Sequence, residues 1–187
     1  MKSIAVRKPS TTELRLEPFL QSYGHCGAAS LKIALAYFGK NVSEKRLARL
    51  SGTTPTSGVD HAGLIAAAKK IGATAREKRN ASIADLRHLV HVKRIPVIVG
   101  WQSPLVPGET MRPDGTEPEE HYSVVSAVTR THVRMYDPNM RSGRRSLPIK
   151  IFLKHWWDTG KGPRDIVRRW MIAVEVPERS RKRKTAR

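Results

Sequence analysis

Residues 21–39 read QSYGHCGAASLKIALAYFG and contain Cys26, the only cysteine of the chain. After that cysteine, Ala28, Leu31, Leu35 and Phe38 recur on one helical face, and the stretch is rich in alanine and leucine, both strong helix formers. The spacing predicts a helix that starts at Cys26 and stops at Gly39. A cysteine at such a start lies at the positive end of the helix macrodipole, near amide N–H groups without helical partners, which favours thiolate over thiol. Gly24 and Gly27 flank it and are expected to leave room for a substrate chain. The competing reading is a small buried hydrophobe, the commoner fate of a lone intracellular cysteine.

Beyond this helix, Ser43 is placed to cap a second short helix that points Leu47 and Leu50 inward. Gly52 to Gly58 is turn-rich, Asp60 begins a third helix that Gly72 ends, and Ser82 and Asp85 have capping-box spacing for a fourth. The second half changes character. Ile95–Trp101 is an apolar run suited to a buried strand, and residues 103–120 read as a loop rich in proline, glycine and acid. Tyr122–Thr129 and His132–Tyr136 read as a hairpin turning at Arg130-Thr131, Pro148–Trp157 as a helix, and Trp170–Val176 as a final strand. A helical half followed by an antiparallel sheet is an α+β architecture.

The 187 residues suit one domain, expected over 12–177, with a flexible N-terminus at 1–11 and a disordered basic tail at 178–187. Hydrophobic residues make up 39% of the chain, enough for a core. No run approaches the ~18 apolar residues of a membrane span, and the basic start lacks the apolar stretch of a secretory signal. One cysteine permits no intrachain disulfide, which is compatible with a reducing compartment, and a cytoplasmic location is the expectation. The charge is +19; the tail ERSRKRKTAR contributes six cations and one anion, leaving +14 on the rest. Such a chain attracts polyanions, including nucleic acid or an acidic peptide.

A thiolate nucleophile needs a proton shuttle, a group to orient it and an oxyanion donor. His121 opens one predicted strand, and Asp137 ends the next, sixteen residues on. An antiparallel pairing lays those two ends side by side, so Asp137 can hold the imidazole. Gln21, just ahead of the helix, can bring its NH2 beside the first backbone N–H. A surface histidine, an Asp-Pro turn and a solvated glutamine are the ordinary readings of each residue alone. The order Gln, Cys, His, Asp says more than any one of them.

Residues 21–72, with CGAASL and FGKNVSEKRLARL, and residues 121–138, HYSVVSAVTRTHVRMYDP, together resemble the papain-like double-glycine leader peptidases, domains often fused to bacteriocin-exporting ABC transporters. The resemblance implies Cys26 as nucleophile, His121 as general base and acid, Asp137 as its orienting group and Gln21 as oxyanion donor. It implies cleavage after Gly-Gly or Gly-Ala in a narrow cleft, without cofactor or metal. An ABC transporter or an acidic leader peptide is the implied partner. Two positions depart from the family pattern: the Gln-to-Cys spacing is one residue shorter than is common, and His25 replaces a residue often acidic or an amide. His25 is expected to face solvent. No transporter segments accompany the domain, so a stand-alone form is expected.

Three other readings remain. The basic tail could serve a nucleic-acid-binding protein, although no helix-turn-helix, RNP or zinc-finger pattern accompanies it. Cys26 with His88 and His91 could ligate zinc, but no paired ligand motif is present. Papain-like enzymes that transfer γ-glutamylcysteine share the Cys-His-Asp order. The acidic segment Asp114–Glu120 reads as a solvated loop.

Overall fold

The structure, a computed structural model, describes residues 13–103, 119–160 and 165–178. The N-terminus at 1–11, the tail from 179 on, and residues 104–118 of the expected 103–120 loop lie outside the described residues. The first helix, α1 (Cys26–Ala36), begins at the cysteine and gives way to Gly39 at φ +73°. It is buried on nearly every side, from Gly27 to Leu31 and again from Ile33 to Leu35, as suits a helix at the centre of a domain. Around it pack α2 (Glu44–Ser51) and α3 (His61–Lys70). The Ser43 hydroxyl accepts from the Arg46 amide, and the Asp60 carboxylate accepts from the Gly63 amide, so both helices start at the residues their capping chemistry selects. The capping box at Ser82 and Asp85 opens α4 (Ile83–Arg87), which runs on into a π-helical turn, His88–Val92.

Opposite the helices lies a six-stranded antiparallel sheet in the order β1-β8-β2-β3-β4-β5. Its strands are β1 (Thr74–Lys78), β2 (Val97–Ser103), β3 (Glu119–Val128), β4 (His132–Tyr136), β5 (Arg144–Pro148) and β8 (Met171–Glu175). Between β5 and β8 come α5 (Ile149–His155) and a small ribbon of β6 (Trp157–Thr159) and β7 (Ile166–Arg168). The α+β expectation holds, with one correction: the sheet does not belong to the second half alone. Strand β1 follows α3 and pairs with β8, Thr74 opposite Glu175. Its sequence, TAREK, is mostly exposed and carries no apolar alternation, which is why periodicity does not reveal it.

The core fills the space between sheet and helices. Trp101, Trp156 and Trp170 are fully buried within it, beside Leu31, Leu35, Val97, Val124 and Ile172. Trp156 Nε1 donates to the Trp170 carbonyl at 2.9 Å and Trp101 Nε1 to Ser123 Oγ at 3.1 Å, so two of the three indoles bury their donors satisfied within the core. Trp170 Nε1 reaches Glu77 Oε1 at 2.7 Å. Among the described residues no helix is long and apolar enough to cross a membrane.

Candidate active site

Helix α1 is fastened to β3 by Ser30, one turn beyond Cys26, whose Oγ donates to the Tyr122 carbonyl at 2.9 Å. Because Tyr122 follows His121, this bond brings the start of α1 to the start of the strand segment that holds the imidazole. Cys26, His121 and Tyr122 accordingly line one cleft of about 140 Å³, closed on its other side by Gly58, Val59 and Asp158. Cys26 is half-buried at its edge. A larger hollow of about 270 Å³ lies elsewhere, beside Glu13, Arg134 and Arg144. Its lining holds neither cysteine nor histidine and is crossed by ion pairs of Glu13 with both arginines.

The β3–β4 register places Val124 opposite Tyr136, so the start of β3 and the residues just past β4 are neighbours. There His121 Nε2 lies 2.7 Å from Asp137 Oδ1, leaving the other ring nitrogen for the thiol. Asp137 is fully buried and held on three sides. Oδ1 also accepts from the Asn139 amide at 2.9 Å, and Oδ2 lies 2.7 Å from Nε of Arg145, which is itself buried and stacks over Trp101. Burial, the largest single influence, pulls the His121 pKa down. The charge and hydrogen bond of Asp137, followed by the hydrogen bond and charge of Cys26, outweigh it and raise the value from 6.5 to about 10. Burial lowers Arg145 to about 10, which leaves it a cation at neutral pH.

Gln21 is drawn to the same corner: its backbone N–H donates to the Pro138 carbonyl at 2.9 Å, next to Asp137. Its side-chain Oε1 is buried and has no hydrogen-bond partner among the described residues. Cys26, His121 and Asp137 therefore converge, and Gln21 is tethered beside them through its backbone.

Two expectations do not hold. His25 does not face solvent: its side chain is only 20% exposed and its Nδ1 points towards the Glu44 carboxylate, 3.8 Å away. The same carboxylate accepts from the Ser22 amide and hydroxyl at 2.9 and 2.6 Å, anchoring the loop before α1 to α2. Nor do Gly24 and Gly27 leave room for substrate. Gly24, at φ +70°, lies against the Pro55 backbone, and a Cβ at Gly27 would run into Val59 and the Tyr122 ring. These glycines permit close packing of the chain on itself.

Sequence reasoning missed Arg145 and Asp158. The first is one of two inward positions in the alternating strand RRSLP, which is exposed, buried, exposed, buried, exposed; that alternation was the available signal, obscured by two adjacent arginines. Asp158, on β6, is buried and bonded through Oδ2 to His61 Nε2 at 2.8 Å. Burial, and next the Asp158 charge, push the Tyr122 hydroxyl well above its ordinary value. His91, considered for zinc, instead lies 3.1 Å from both backbone polar groups of Val128. Among the described residues no group of three or more metal-ligating side chains occurs.

A protein of Methanothermobacter thermautotrophicus, described as uncharacterized, is 33% identical over 129 residues, 68% of this chain and 72% of its own length. Among solved structures, a double glycine motif protease from an AMS/PCAT transporter, crystallised with the leader peptide, is similar with a TM-score of 0.64 and 19% identity, over 90% of this chain and 98% of that one. The peptidase domain of Streptococcus ComA, a bi-functional ABC transporter, gives 0.60 and 22%, over 88% and 99%. The fold is thus that of the papain-like C39 peptidase domains. The model of the Peptidase_C39 like family matches residues 13–163, and to that family the chain belongs.

Proposed function

We propose that the protein is a cysteine peptidase of the double-glycine type, with residues 12–177 as its peptidase domain, cutting a peptide after Gly-Gly or Gly-Ala. One observation carries the reading: the lone cysteine, at the start of a buried helix, shares a cleft with a histidine whose far nitrogen is bonded to a buried aspartate. In this mechanism the Cys26 sulfur attacks the scissile carbonyl as a thiolate, and the carbonyl π-electrons move onto oxygen. The tetrahedral intermediate collapses, the C–N bond breaks, and His121 gives its proton to the leaving amine. Neutral His121 then takes a proton from water, which attacks the thioester and releases the acid and the thiolate. Asp137 keeps the ring oriented throughout.

The oxyanion would be received by the Cys26 N–H, free of helical bonding at the first turn, and by the Gln21 carboxamide, where losing one donor costs about 2.7–4 kcal/mol of transition-state stabilisation. A small-residue site suits a cleft of this size. The family resemblance supports a leader peptide as substrate and a transporter as partner, and the +19 charge of the chain favours a leader that is acidic. The test is cleavage of a synthetic leader containing Gly-Gly: the wild-type chain cuts after the pair, Cys26→Ala does not, and His121→Ala is nearly inert. Undiminished cleavage by Cys26→Ala would overturn the mechanism.

A further inference from the structure

We propose that Asp158 makes this cleft select a peptide with a positive charge next to the Gly-Gly pair. The proposal rests on the peptidase reading above and adds a specificity-determining residue to it. Asp158 is 3% exposed, and the fold is arranged to hold its carboxylate: Oδ2 meets His61 Nε2 at 2.8 Å. That imidazole is stacked flat on Trp170, with centroids 3.9 Å apart and planes 6° from parallel. Gly100 has hydrogen where any Cβ would collide with Oδ2. Oδ1, by contrast, is buried with no hydrogen-bond partner among the described residues, and Asp158 is one of the residues that line the same cleft as Cys26. A carboxylate oxygen removed from water without a donor is costly, and a substrate that supplies one relieves that cost.

The charge of the donor follows from the rest of the cleft. Asp60 and Glu120 line it with Asp158, and among its described lining residues the one cation is His121. The described lining is therefore acidic inside a chain whose total is +19. In a partly desolvated hollow these carboxylates act at higher effective strength than on open surface. A lysine or arginine beside the scissile bond supplies both the missing donor and the opposite charge.

The experiment uses the full chain and three Gly-Gly peptides that carry lysine, norleucine or glutamate on either side of the pair. Binding is measured to Cys26→Ala by fluorescence anisotropy, and kcat/KM to the wild type. The lysine peptide should bind and react about tenfold better than norleucine, the scale of a charge-assisted hydrogen bond, and glutamate worse than either. Asp158→Asn should bring the lysine-to-norleucine ratio close to one. If Asp158→Asn does not fold, Glu120→Gln, at an exposed position, should still lower the ratio several-fold. Equal affinity and equal cleavage of all three peptides would overturn charge selection and leave the peptidase standing. Preferred binding of the lysine peptide without any cleavage would keep the selection and overturn the peptidase. Neither binding nor cleavage of any of them would overturn both.

Discussion

Asp137 is the residue on which most interactions converge, since His121, Arg145 and the Asn139 amide all draw on one buried carboxylate. Asp137→Ala should cost about 3–5 kcal/mol in urea denaturation, because it strips two buried cations of their shared anion. Asp137→Asn keeps the shape and removes the charge that raises His121. If the imidazolium is the proton donor, the alkaline limb of wild-type kcat/KM should fall near the His121 value of about 10, and in Asp137→Asn it should move to lower pH. Stability has the same sign. His121 is raised from 6.5 in the unfolded chain to about 10 in the fold, so its contribution is complete below pH 6.5 and disappears as pH climbs towards 10. Urea midpoints of the wild type should decline across that window more steeply than those of His121→Gln. The sequence exposes Cys26, His121 and Asp137 through residue type and strand order. It hides Arg145 and Asp158, whose importance comes from burial and partners that only the assembled sheet provides.

Among the elements, α1 and β3 determine whether the thiol meets the imidazole. Ser30→Ala removes the bond from α1 to the Tyr122 carbonyl, at about 1 kcal/mol of stability, and should lower kcat more than it raises KM if alignment is what it provides. Gly27→Ala should cost about 1–3 kcal/mol through overpacking against Val59 and Tyr122, seen as a lower melting temperature. The helices were readable in advance because capping residues and periodicity agree, as at Ser43, Asp60 and Ser82. The short strands β1, β6 and β7 were not. Among the described residues, three-residue β6 and β7 pair only with each other, and β1 is held by β8, nearly a hundred residues away; local pattern contains no trace of such pairing.

For the protein taken together, a +19 chain carries a cleft whose described lining is acidic. Cleavage of a long acidic leader should slow as salt rises from low to physiological strength, where screening shortens to about 8 Å, while a short peptide confined to the cleft should respond less. Overall charge is legible from composition, but its reversal inside the cleft is not, because Asp60, Glu120 and Asp158 are brought together only by folding. Strand β5 is the outermost member of the sheet on one side, and Arg145 extends from that strand to the buried aspartate. Border strands are prone to open ahead of the interior. Detachment of this one would carry the guanidinium away and leave the aspartate balanced by the imidazole alone, so faster hydrogen exchange at the sheet's margin should go with a changed proton affinity at His121.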